Sequence, residues 1–347
     1  MNRRKFITTL PALATARSLL AEAGASQSRL GICTFSCHQH WKAVGAKHEG
    51  VKFTDALSFY RYGREIGAEG VQTPLRGAKA AEMRALVESG GGYYEGELRL
   101  PKVEGELAAF ENEVRQTREA GATVARAVFT NGRRYEVFKT LEEFRAFHEQ
   151  AKRTLALIEP VLRKHQLKAA IENHKDHTTE ELVALMRGIS SEWVGVLVDT
   201  GNNLALLEEP HGVIEALAPF ALSVHLKDMA VQSSDDGFLL SEVPLGTGML
   251  DLPRMIATLS KANPALVFNL EMATRNPLRV PCHTESFFAT FPERKATHLD
   301  AAMQRVKANP PKQPPPVVSG KTTPQVLSEE ETNNRHGLAW MLKQIRA

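Results

Sequence analysis

The chain has 347 residues, 43% of them hydrophobic and 24% charged, an ordinary globular balance with a formal net charge of +3. No apolar stretch approaches the ~18 residues that a membrane-spanning helix needs, so no span is expected. The first 25 residues hold Arg3, Arg4, Lys5 and Arg17 against Glu22 alone, so the remainder is near neutral and shows no charge signature of nucleic-acid binding.

The chain opens Asn2-Arg3-Arg4-Lys5-Phe6-Ile7, continues through a small, mostly apolar stretch over residues 8–16, and then reads Leu19-Leu20-Ala21. This resembles a twin-arginine export signal, with Ala21, Ala23 and Ala25 as small residues for cleavage. Residues 1–25 are therefore expected to be a signal peptide and the mature protein to be periplasmic. Next come eight strand candidates, at residues 30–35, 70–74, 93–100, 123–130, 168–173, 194–200, 221–226 and 267–272. Helical patterning fills most of the gaps, at 55–66, 80–88, 104–120 and 141–165, and Thr178 or Thr179 can N-cap a helix through Arg187 with Glu180 and Glu181 in its first turn.

Alternating strands and helices in this number predict a closed (β/α)8 TIM barrel over residues 29–300, an α/β fold. No glycine-rich phosphate loop follows an early strand, which argues against an open doubly wound sheet. Residues 235–248 read as a long loop after the seventh strand, able to cover a substrate, and 275–281 read as irregular. A Pro-rich linker is expected at 310–324, then a helix in the last block, 325–347, that caps the barrel or a neighbouring subunit. Cys33, Cys37 and Cys282, odd in number, form neither a disulfide framework nor a zinc motif.

Four of the apolar runs end in a polar residue: Ala169-Ala170-Ile171-Glu172, Val196-Leu197-Val198-Asp199, Ala221-Leu222-Ser223-Val224-His225 and Leu266-Val267-Phe268-Asn269-Leu270-Glu271. Short β-branched runs suit buried parallel strands, and the carboxyl ends of barrel strands converge on one mouth. Glu172, Asp199, His225 and Glu271 would then meet around a point, as a ligand set for one divalent metal. Three carboxylates and an imidazole make a hard site, favouring Mn2+ or Mg2+, with Co2+ or Zn2+ as alternatives.

The strings Ile171-Glu172-Asn173-His174, Val198-Asp199-Thr200-Gly201-Asn202, Val224-His225-Leu226-Lys227-Asp228 and Leu270-Glu271-Met272 resemble the xylose isomerase-like barrel superfamily of sugar-phosphate isomerases and epimerases. So does Gly67-Ala68-Glu69-Gly70-Val71-Gln72, and the resemblance spans roughly residues 29–280. It implies that Glu172, Asp199, His225 and Glu271 hold one metal and that Glu172 and Glu271 also act as acid and base. One departure is Asn202, where many epimerases and the metal-dependent apurinic endonucleases carry histidine. An amide can orient substrate but cannot replace an imidazole ligand, which argues against a multi-zinc nuclease.

Such a site suits enolate chemistry: isomerisation or epimerisation of an unphosphorylated or 3-keto sugar, with elimination from a 3-keto glycoside as the alternative. A phosphodiesterase and a non-catalytic sugar-binding barrel are weaker readings. Further substrate contacts are expected from His174, Asn202, Lys227, Arg126 and His40. His174 could instead support a metal ligand, Lys227 could form a salt bridge at the rim, and Arg126 could pair with the acids. His38, His40 and Trp41 follow the first strand and could wall a sugar ring. The expected partner is a small-molecule sugar, with homo-oligomerisation open.

Overall fold

The computed structural model describes residues 29–345, so the proposed leader lies outside the described residues. The strands are β1 (Arg29–Cys33), β2 (Gly70–Gln72), β3 (Tyr93–Glu97), β4 (Val124–Ala127), β5 (Lys168–Glu172), β6 (Val194–Asp199), β7 (Ala221–Leu226), β8 (Asp228–Ser234), β9 (Gly237–Val243), β10 (Val267–Leu270) and β11 (Leu278–Val280). Eight of them close a parallel barrel in the order β1-β10-β7-β6-β5-β4-β3-β2. These are the eight expected strands, several of them ending earlier than expected.

Several helices start where a side chain satisfies free backbone N–H groups. Capping boxes pair Thr140 with Glu143 at the helix Leu141–His165, and Thr178 with Glu181 at the helix Thr179–Ile189. At β1, Gly31 lets Tyr93 cross the barrel interior: an added Cβ would lie 1.7 Å from the Tyr93 hydroxyl. Among the described residues no helix is long and apolar enough to cross a membrane.

Two expectations outside the barrel need correction. Residues 235–248 are not one long loop: β8 and β9 form an antiparallel hairpin with Ser234 opposite Gly237, so Asp235-Asp236 is a tight two-residue turn. The Asp-Asp-Gly cluster marked a turn between two alternating strands. Residues 275–281 are not wholly irregular either, because β11 adds to the edge of β9.

The terminal helix Thr323–Ile345 packs on the barrel's own wall beside β1. Its Glu330 is fully buried and accepts from the backbone N–H groups of Gln39 at 2.7 Å and His40 at 3.0 Å. It also pairs with His40 Nδ1 at 2.9 Å. Asn334 Nδ2 donates to the Ser36 carbonyl at 3.0 Å. Glu330→Ala strands two buried N–H groups and an imidazole, and should lower the unfolding free energy by about 3–5 kcal/mol in urea denaturation. A loss below ~1 kcal/mol, the worth of one ordinary hydrogen bond, would show that the helix docks loosely.

Candidate metal centre

Four side chains from neighbouring strands meet at the mouth. Glu172 and Asp199 end β5 and β6, His225 lies in β7 opposite Asp199, and Glu271 follows β10 directly. One ligand atom from each lies within 4.8 Å of the others, and all four residues are buried.

His225 is oriented from behind. Gln72 Nε2 donates to Glu95 Oε2 at 2.8 Å, which turns the Gln72 carbonyl toward His225. His225 Nε2–H donates to that oxygen at 2.6 Å, leaving Nδ1 to face the acids. Nδ1 lies 2.5 Å from Glu271 Oε2 and 3.9 Å from Glu172 Oε2. Asp199 Oδ1 accepts from the N–H groups of Gly201 at 2.9 Å and Asn202 at 2.7 Å. Asp199 Oδ2 and His225 Nδ1 are fully buried and face charged groups, Lys227 Nζ and Glu271 Oε2, so the fit to a divalent cation rests on the donor set of three carboxylates and one imidazole.

Positive charge surrounds these acids. Arg126 grips Glu172 Oε2 through Nε at 2.6 Å and Nη2 at 2.5 Å, and reaches Glu97 at 3.4 Å. Lys227 Nζ lies 2.6 Å from Glu271 Oε1, 2.8 Å from Asp199 Oδ2 and 3.7 Å from Glu242 Oε1. Burial pushes the Glu172 carboxyl up, but Arg126 and then His225 outweigh it, leaving its pKa at about 2. Burial likewise opposes ionisation of Glu271, yet Lys227 and His225 hold it well below the usual carboxylate range. Asp199 goes the other way, to about 6, because burial and its carboxylate neighbours Glu271 and Glu172 exceed the help from Lys227.

A chamber of about 270 Å3 opens over this cluster, lined in part by Glu172, His225, Glu271, Arg126 and His174. Burial, then Lys175, lowers the His174 pKa to about 4, so its ring is neutral at pH 7. Asn202 does not line the chamber; its Nδ2 donates to Glu172 Oε1 at 2.8 Å, while its Oδ1 accepts from Lys227 at 3.3 Å and from Lys175. Lys227 is completely buried beneath the acids, not at the rim.

His40 is elsewhere. It is held by Glu330 under the terminal helix and stacks on Phe53 at 5.1 Å. His38 turns to the same Glu330, and Trp41 packs on Phe53, so these three residues build no wall for a sugar. The first residues of the short helix after β1 thus meet Glu330 of the terminal helix.

Several lining residues escaped the sequence reading. Lys175, Phe35 and Arg275 each sit a few residues beyond a strand end, and extending the mouth argument past the terminal residue finds them. Glu97 ends β3 itself. Glu242, buried behind the lining, has no such signal: it arrives through the hairpin and accepts from Arg275 at 2.7 Å and from the Ala273 N–H at 2.6 Å.

Lys227 and a cation would share the oxygens of Asp199 and Glu271. Lys227→Met should therefore cost the metal-free protein about 3–5 kcal/mol, since it leaves buried acids unpaired. Added Mn2+ should raise the melting temperature of the variant more than that of the parent. An equal rise in both would show that Lys227 and the cation do not share those oxygens.

Comparison with known proteins agrees with the barrel. A 3-oxo-isoapionate decarboxylase from Pectobacterium atrosepticum is 31% identical over 113 residues, which make up 32% of this chain and only 41% of that protein. An L-ribulose 3-epimerase structure superposes with a TM-score of 0.54 at 13% identity, covering 92% of this chain and 95% of that one. A 3-keto-D-glucoside 4-epimerase from E. coli gives 0.51 at 12% identity, covering 75% and 97%. At such identities the two structures speak to fold alone. The family model described as the xylose isomerase-like TIM barrel matches residues 60–300, most of the chain, and the protein belongs to that family.

Proposed function

We propose that this protein is a divalent-metal-dependent carbohydrate isomerase or epimerase, with Glu172 and Glu271 moving a carbon-bound proton next to a carbonyl. The observation that carries this reading is the buried convergence of Glu172, Asp199, His225 and Glu271 beneath a chamber the size of a small ligand. A divalent cation held by these four residues would supply Lewis acidity to a carbonyl and its neighbouring hydroxyl. Mn2+ is the first choice for a set of three carboxylates and one imidazole.

The two glutamates reach the chamber from separate parts of the barrel, because β7 and β6 lie between β10 and β5. A proton taken by one can return from the other, which inverts a stereocentre; return to the adjacent carbon gives aldose–ketose isomerisation. Both carboxylates are ionised at neutral pH, Glu172 held so by Arg126 and Glu271 by Lys227. The neutral His174 ring can donate to or accept from a sugar hydroxyl. Phe35 and Leu278 add apolar lining that limits water.

A second reading, a lyase acting on a 3-keto glycoside, uses the same residues. It draws support from the partial relative named as a decarboxylase of a 3-oxo compound. Loss of CO2 from the carbon beside a ketone leaves an enolate, as removal of a proton there does, and expulsion of an aglycone from the β carbon proceeds from such an enolate. Released aglycone, in place of mass-conserving isomerisation, separates the two readings. Export by the twin-arginine route belongs to this proposal and favours an unphosphorylated sugar.

Deuterium wash-in followed by NMR, against a panel of free and oxidised sugars with Mn2+, tests the reaction. Glu172→Gln and Glu271→Gln should retain some metal yet lose about 10²–10⁴ in rate. Asp199→Ala should lose metal first. Full turnover by both glutamine variants with metal bound would rule out the two-glutamate mechanism. For export, mass spectrometry of protein from the periplasm of a twin-arginine-competent host should show residues 1–25 removed; an intact N-terminus retained in the cytoplasm would end that part of the proposal.

A further inference from the structure

A second space opens beside the chamber. It is a groove of about 1070 Å3 between the segment after β3, the end of β4 and the helix Leu141–His165. Glu97, Arg126 and Asn131 line both the groove and the chamber, so a molecule seated over the acids can extend into the groove without leaving the protein. The chamber's 270 Å3 suits one sugar ring and little more.

The groove walls are chemically unlike the chamber. Leu98, Leu100, Phe129, Val137, Phe138 and Phe147 supply its apolar surface. The rings are held in place: Phe138 and Phe147 have centroids 4.8 Å apart, and Phe147 stacks on the buried His177 at 5.1 Å. Hydrogen bonds from Gln150 Nε2 to the Lys102 carbonyl at 2.7 Å and from Thr154 Oγ1 to the Pro101 carbonyl at 3.1 Å tie the helix to the β3 segment.

Val137, 46% exposed in the groove, and Phe35, 41% exposed at the chamber, are two of the few large apolar side chains left open to solvent among the described residues. Single exposed apolar residues are ordinary, but these two line adjoining spaces that share Glu97, Arg126 and Asn131. Arg99, Lys102 and Arg153 supply cationic groups to the groove, suited to aromatic faces and phenolic oxygens.

We infer that the groove receives an aromatic aglycone, making the substrate an aryl glycoside whose sugar lies in the chamber. This rests on the proposed reaction for which end of the substrate meets the acids. The groove mixes polar groups with an apolar side built from Phe129, Phe138 and Phe147. A flat aromatic ring matches the fixed faces and edges of those phenyl groups, which a sugar ring would leave without a flat partner.

The test uses the full chain loaded with Mn2+, and titration calorimetry with the methyl and the phenyl glycoside of one 3-keto hexose. The phenyl glycoside should bind about tenfold or more tightly, as expected for burial of one aromatic ring. Val137→Asp and Phe138→Ala should each erase that preference, while Val317→Asp, an equally exposed change outside the groove, should leave it intact. Equal affinity for the two glycosides, or binding of neither, overturns the inference. A phenyl preference without proton exchange on either glycoside upholds the groove and sinks the proposed reaction. Loss of an oligomer in Val137→Asp with the phenyl preference unchanged overturns the inference and assigns the groove to contact between copies of this chain.

Discussion

Three carboxylates forced together out of water repel one another, and much of the mouth is arranged to hold them. Glu172, Asp199 and Glu271 converge with Glu242 close by, all buried. Lys227 bridges Asp199 and Glu271, Arg126 clamps Glu172, and Arg275 clamps Glu242. Removing a partner from such a cluster exposes the full cost of a buried charge. The raised Asp199 pKa marks where the compensation is least complete, and a divalent cation among the same oxygens would complete it.

Below the mouth a polar network runs through the barrel interior. Tyr93 donates to Asn269 Oδ1 at 2.8 Å, Asn269 Nδ2 donates to Glu95 at 2.9 Å, and Ser223 Oγ donates to Glu95 at 2.8 Å. Glu95 in turn orients Gln72, and Gln72 orients His225. A chain of this kind sets which imidazole nitrogen faces the acids, because each amide has only one arrangement that satisfies both neighbours. A small glycine in β1 is what gives Tyr93 its path.

Both elements outside the barrel rhythm act on the site. The hairpin delivers Glu242, which fixes Arg275 and the Ala273 backbone just after Glu271. The terminal helix holds Ser36 through Asn334, and Ser36 Oγ donates to the Leu270 carbonyl at 2.7 Å and accepts from the Met272 N–H at 2.9 Å. Glu271 therefore sits between two backbone groups clamped by one serine. The same helix takes His40 away from the mouth, because the imidazole and two backbone N–H groups need the carboxylate of Glu330.

The order of the eight barrel strands, the barrel, and the grouping of Glu172, Asp199, His225 and Glu271 were legible in the chain alone, since buried parallel strands read as apolar runs and their ends share one mouth. Local capping was legible too, because Thr140 and Thr178 act on residues three positions away. What lay beyond reach depended on partners far along the chain. Lys227 next to His225 looked like a rim lysine, and only the inward turn of the segment after β7 buries it among the acids. His40 could be assigned only once Glu330, 290 residues later, was known to lie against it. Periodicity and spacing report a residue's own strand or helix; which distant charge it meets is decided by how the closed barrel and its added elements pack.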